Sequence, residues 1–305
     1  MIKIKTLPAI AAALLAFGLA AAPAQAGPNR TFVSGTGTDS GTCTRTAPCR
    51  TFAFAITVTN AGGEIDVLDP AGYGPVTITK AIGIVNDGVG VAAIGAGSGN
   101  GVTINAGATD SVHLRGLTIE GLGSGANGIL FKTGGNLAVE NCVVRGFSNA
   151  GIKIAPTTLS RFSVSNTIAS NNGSLSGGIL IKGPVTGVLS KVTANNNQAG
   201  IVVDQFAAGG LLNVTIVDSE ASNNDTGILA QSTSRANVMV RNVVVSGNSF
   251  FGLSEFGTNV WIAHSVFAGN NTGVGVDGQT RSYGDNDISG NALDVEGTLT
   301  PVATR

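Results

Sequence analysis

Charge is scarce in this chain: 17 Lys and Arg stand against 18 Asp and Glu in 305 residues, 11% in all, for a net charge of −1. A nucleic-acid surface needs clustered Lys and Arg facing phosphates. No such cluster occurs, which excludes that class of partner. Aromatic residues are only 5%, with a single Trp. Two His and three Cys, without a second Cys pair or a His cluster, do not assemble four zinc ligands, so neither metal nor cofactor is expected. Beyond the N-terminus no apolar run approaches the ~20 residues of a transmembrane helix, so no transmembrane segment is expected.

The one long apolar run is N-terminal. Lys3 and Lys5 precede an Ala/Leu-rich stretch at residues 7–22, and Ala24-Gln25-Ala26 is an A-x-A cleavage site that would leave Gly27 first. This pattern is that of a signal peptide over residues 1–26, and it predicts a periplasmic or extracellular protein. Disulfides persist in such compartments. Cys43 and Cys49, separated by a short loop containing Pro48, are the expected bridge, and Cys142 is read as a small buried strand residue.

What is abundant is glycine, 45 residues, among Val, Ile, Thr, Asn and Ser, a mixture that favours strands and turns. One phrase recurs: a small or polar residue, Gly, then an aliphatic. It occurs at Asn127-Gly128-Ile129, Ala150-Gly151-Ile152, Gly177-Gly178-Ile179, Ala199-Gly200-Ile201, Thr226-Gly227-Ile228, Phe251-Gly252-Leu253 and Thr272-Gly273-Val274, at spacings of 21 to 27 residues. That is the length of one three-strand coil of a parallel β-helix, too short for helical-pair repeats.

Two polar rows keep step with the phrase. Asn172, Asn196, Asn224, Asn248, Asn270 and Asn291 form a predicted ladder of stacked corner amides, because Asn tolerates left-handed backbone and its amide can bond the next coil's. Asn141, Asn166, Ser190, Asp218, Asn242, His264 and Asp285 form a second corner row. Between them aliphatics alternate, as in Val238, Val240 and Val260, Ile262, the period of a strand with one buried face. The predicted fold is all-β: a single right-handed parallel β-helix solenoid over residues 62–291, an N-terminal cap over residues 27–61 with a short helix at residues 50–59, and a polar tail at residues 292–305. Terminal repeats are expected to be atypical.

The Gly-aliphatic phrase, the Asn row and the C-x5-C-R-T-F segment from Cys43 to Phe52 resemble the bacterial right-handed parallel β-helix repeat proteins of the pectate-lyase-like superfamily. The resemblance covers nearly all of the chain after residue 26 and implies the fold. It does not imply one chemistry, since that superfamily includes lyases, hydrolases and adhesins. The N-T-D, D-D, H-G and R-I-K signatures of its hydrolases are absent. Val260-Trp261-Ile262-Ala263-His264 is similar to the V-W-I-D-H phrase of pectate lyases, with Ala263 where that phrase has Asp, and the lyases' calcium-binding acids and catalytic Arg have no match.

The informative outward row lies four residues after each repeat glycine: Lys132, Ala155, Lys182, Asp204, Gln231, Phe256 and Asp277. Stacking at one strand spacing lets Lys182 pair with Asp204 beside Gln231, with Lys153 on the same face and Trp261 outward beside Met239. Lys132, Lys153, Lys182, Asp204, Gln231 and Trp261 are therefore the candidate glycan-binding residues, while a solvated face with one ion pair is the plainer alternative. Leu130, Leu180, Val202 and Leu229 form an outward apolar stripe, open to a partner or covered by a turn. Coil lengths vary little, which leaves little material for cleft walls. Two readings stand: a non-catalytic exported protein that binds a polysaccharide or another surface, or serves as a structural module; and, as the alternative, a polysaccharide lyase-like enzyme using Lys182 or Lys153 as base near Asp204. Nothing in the sequence speaks to oligomeric state.

Overall fold

The computed structural model describes residues 27–173, 176–205, 210–233 and 236–303; the expected signal peptide at residues 1–26 lies outside them. The chain winds into a parallel β-solenoid of about nine turns. A typical coil has three strands, as in Asn127–Thr133, Asn136–Glu140 and Val143–Arg145. First strands pair with first strands and second with second, always in parallel. In the last coils the first two strands run together, as Phe251–Ala263 and Thr272–Ser282. The core follows from the alternation: Ile129, Ile152, Ile179, Ile201, Ile228, Leu253 and Val274 stack in register, all at 0% exposure.

The repeat glycines are required by the approach of one coil to the next. A Cβ on Gly200 would stand 2.6 Å from the Gly227 carbonyl oxygen, and one on Gly227 would stand 2.6 Å from that of Gly252. The same holds from Gly128 to Gly273, at 2.5–2.7 Å. None of these seven has a left-handed φ, so space and not conformation selects glycine.

The amide ladder fills the adjoining corner. Asn248 Oδ1 accepts the Asn224 backbone N–H at 2.9 Å, and Asn248 Nδ2 donates to the Ala221 carbonyl at 3.1 Å and to Asn270 Oδ1 at 2.8 Å. Asn172, Asn224, Asn270 and Asn291 repeat the arrangement. Asn196 does not. Its place is taken by Asn197, whose N–H donates to Asn224 Oδ1 at 2.8 Å, while Asn196 turns the corner at φ 56°. The run Asn195-Asn196-Asn197 hides the phase, yet Asn197 stands three residues before its glycine, as Asn224 and Asn270 do. The second corner row needs a similar correction. Left-handed backbone occurs at Asn141, Asn166, Lys191, Asp218, Asn242 and His264, so Lys191 and not Ser190 occupies that corner, because Ser190 is still paired with Val217 as a strand residue.

The N-terminal end is closed by the helix Phe52–Val58, shorter than expected because Thr51 caps it and Thr59 ends it. Thr51 Oγ1 accepts the Phe54 N–H, Asp39 accepts the N–H groups of Arg50 and Thr51, and Phe52, Ala55 and Ile56 are buried over the first coil. A disulfide joins Cys43 to Cys49. Cys142 is buried, with burial pushing its thiol up to about 11. Beyond Ala292 the chain is still ladder: Leu293–Glu296 and Thr300–Pro301 pair with the last long strand.

One inward position breaks the pattern. Glu255 stands in the core row between Ala230 and Val276 at 1% exposure. Its Oε1 accepts the Thr258 N–H at 2.6 Å, and Oε2 has no hydrogen-bond partner among the described residues. Gly278 makes the room, since a Cβ there would stand 2.5 Å from Oε1. Burial raises the Glu255 pKa, the Thr258 N–H opposes the rise and Asp277 adds to it.

Two expectations follow. Asn248→Ala removes amide bonds to both neighbouring coils and should cost about 1–3 kcal/mol in chemical denaturation, whereas Asn196→Gly, at a left-handed corner outside the ladder, should leave the midpoint nearly unchanged. For Glu255 the folded pKa lies above the unfolded one, so its contribution is full below the ordinary carboxylate range and is lost as pH rises through the folded value. Glu255→Gln should therefore raise the thermal midpoint at pH 7, and the gain should fade as the pH drops below the ordinary carboxylate range.

Candidate functional site

The stacking register turns three sequence rows into one groove. Two residues after the glycine, Leu180, Val202 and Leu229 pair in register. Four residues after it, Lys182, Asp204 and Gln231 do the same. Two residues before it stand Ser176, Gln198, Asp225 and Phe250, which line the opposite side. Between these walls lies a groove of about 390 Å³, spanning six residues of strand, or about 20 Å across at ~3.3 Å per residue.

The apolar stripe is the floor of this groove and not an open patch. Leu180 and Val202 are outward in the pleat, yet only 3% and 5% exposed, because they pack with Ala150, Ala199 and Leu229 into a small cluster separate from the main core. Lys153 pairs with Leu180 in the floor row, but neither Lys153 nor Lys132 lines the groove. The candidates brought together are Lys182, Asp204 and Gln231. Trp261 is on the second face, between Met239 and Arg281, with the Arg281 guanidinium 5.0 Å from its ring centroid.

The polar wall is ordered by charge. Lys182 Nζ lies 2.7 Å from Asp204 Oδ2, with the Asp204 side chain 11% exposed and that of Lys182 37%. A lysine fixed this way presents part of its donor set to a ligand while the carboxylate behind it offsets its charge. The facing wall starts at Ser176, where a second amide ladder that the sequence rows did not bring out ends. Asn127 donates to Asn100 at 2.8 Å, Asn149 to Asn127 at 2.9 Å, and Ser176 Oγ to Asn149 at 2.7 Å. The signal for this wall was available in the sequence, since Asn149, Ser176, Gln198, Asp225 and Phe250 all precede their glycines by two. A floor of aliphatics with amide, hydroxyl and charged groups on both rims suits a ligand with apolar faces and hydroxyl edges. Among the described residues no group of three or more His, Cys, Asp or Glu is placed to hold a metal ion, and no helix is long and apolar enough to cross a membrane.

Pectate lyase Pel9A superposes with a TM-score of 0.62 at 16% identity, over 88% of this chain and 78% of that one. The A-modules of the Azotobacter vinelandii mannuronan C-5 epimerases AlgE4 and AlgE6 each reach 0.51, at 14% and 16% identity, over 83% and 80% of this chain and 93% and 90% of theirs. At such identities the likeness is one of fold. None of the curated proteins matches the sequence. The family described as Right handed beta helix region matches residues 100–293, more than half of the sequence and all seven Gly-aliphatic phrases, and the chain belongs to that family.

Proposed function

We propose that the protein is exported and binds a polysaccharide in the groove of the first face, without catalysis. The observation that carries this reading is the pairing of an apolar floor, Leu180, Val202 and Leu229, with the polar rims Lys182–Asp204–Gln231 and Ser176–Gln198–Asp225. Sugar rings are amphipathic, with C–H faces that seek apolar surface and hydroxyls that seek fixed donors and acceptors. The coils repeat along the solenoid axis, so successive residues of a linear polymer meet equivalent rows about 4.8 Å apart. Export is supported by the A-x-A pattern before Gly27 and by the Cys43–Cys49 bridge, since disulfides persist in oxidising compartments. Pectate lyase and mannuronan epimerase chains share the fold, which favours a polysaccharide over other linear ligands.

A binding role suits the placement of Lys182, whose amine is held 2.7 Å from Asp204 Oδ2 and turns its remaining donors to a ligand. Affinity electrophoresis of the mature chain through gels carrying polygalacturonate, alginate or neutral glucans tests the reading. At least one polymer should retard the wild type, and Lys182→Ala with Asp204→Ala should abolish the retardation. For an acidic polymer the effect should weaken with salt. Unchanged retardation in the double variant would sink the groove assignment. Unsaturated, near-ultraviolet-absorbing product from the wild type, dependent on Ca²⁺, would replace binding by lyase chemistry.

A further inference from the structure

A second hollow, of about 600 Å³, opens on the other face of the late coils. The register creates it. Arg241 pairs with Ala263, and Tyr283, whose N–H donates to the Ile262 carbonyl, continues that column one coil on. Ala263 has no side chain beyond Cβ, so the surface sinks between the guanidinium and the phenol. Met239 lines the hollow on its apolar side.

His264 borders the same hollow and is held in place by Asp285. It turns the corner with φ 50°. Its backbone N–H donates to Asp285 Oδ1 at 2.9 Å, and its Nδ1 lies 2.9 Å from Asp285 Oδ2. With Nδ1 turned to the carboxylate, Nε2 is the ring nitrogen left for a ligand. One coil earlier Asn242 donates to Asp218 at 2.7 Å, which engages that carboxylate within the corner row. Among the described residues neither the Arg241 guanidinium nor the Tyr283 hydroxyl has a side-chain hydrogen bond or ion pair.

We propose that this hollow is a second binding site, distinct from the groove, for a ring-bearing hydroxy acid. The carboxylate meets the Arg241 fork, which matches it in two parallel hydrogen bonds. The ring lies over Ala263 against Met239, and a hydroxyl forms a hydrogen bond with His264 Nε2, with the Tyr283 hydroxyl beside it. Two features argue for this class over a small inorganic anion. The volume falls in the range of ring-sized ligands, about 300–1,000 Å³. The lining also balances one free cation against the Asp285 carboxylate, which disfavours a multiply charged guest.

Sugar acids and phenolic acids share this chemistry, and D-glucuronate and 4-hydroxybenzoate are the two probes that separate them. The chain has one tryptophan, Trp261, in the column beside the hollow, so its indole N–H resonance reports on this region alone. Titrating the mature protein with each probe should give a saturable shift for at least one of them, with Kd on the order of 1 mM. Saturation by glucuronate alone identifies a sugar acid, and saturation by 4-hydroxybenzoate alone a phenolic acid. Arg241→Gln, an exposed substitution that leaves the core untouched, should weaken binding at least tenfold, and Ala263→Leu should abolish it by filling the floor. No saturable shift with either acid would overturn the proposal. So would equal binding of glucose, or undiminished affinity in Arg241→Gln.

Discussion

The structure depends on how closely one coil approaches the next at a single corner. There the repeat glycine lies under the carbonyl of the following coil at a separation that excludes any Cβ, and the ladder asparagine sits in the adjacent gap. On Gly151, Gly178, Gly200, Gly252 and Gly273 a Cβ would also stand 2.6–2.9 Å from a ladder amide nitrogen. Glycine and asparagine therefore form one device. The missing Cβ admits the amide, and the amide satisfies backbone groups that the turn leaves without strand partners, a buried deficit that costs on the order of 1–3 kcal/mol per group. The ladder begins where Asn172 Oδ1 accepts the Phe147 N–H, with Phe147 buried against the glycines of the earlier coils.

With that corner locked, every position counted from the glycine becomes a straight row along the solenoid. The rows at minus two, plus two and plus four build both walls and the floor of the groove without any long loop insertion. The short loops were expected to leave too little material for a cleft, but side chains on the strand face supply the walls instead. The floor shows why the apolar stripe is tolerated: Leu180 and Val202 face away from the core and are nonetheless buried by their neighbours in the rows. The second hollow uses the same logic with a small residue, Ala263, in place of a long one.

The coils, their phase and the cap were legible because glycine, alternation and cysteine spacing are local in the sequence. The misplacements at Asn196 and Ser190 share one cause, since each coil varies by a residue or two in its turns and only the register across coils decides which neighbour takes the left-handed corner. The Lys182–Asp204 pair was legible because counting from the glycine happens to equal counting in register. Lys153, placed in the same strip, falls in the floor row instead. Glu255 was not legible: by alternation it should be aliphatic, and only the contact with Gly278 in the next coil explains how a carboxyl fits there.

Stacking also accounts for the scarcity of charge. A residue in one coil has its counterparts in the coils above and below about 4.8 Å away, where two like charges repel by about 1 kcal/mol even at the dielectric constant of water, and by more where they are half-buried. A solenoid that repeated a charged row would accumulate that penalty along its whole length. Among the paired strands of the described residues no like charges face each other. Lys182 meets Asp204 and then Gln231, Arg115 meets Glu140, Glu120 meets Arg145, and Arg241 lies between Val217 and Ala263. Charge survives only where a partner of opposite sign or a neutral spacer stands beside it, which keeps the total low and concentrates what remains at a few places. Arg241 is spaced by neutral neighbours and not neutralised by an opposite charge. On this fold that leaves it available to a ligand, in contrast to Lys182, which already shares its charge with the wall of the groove.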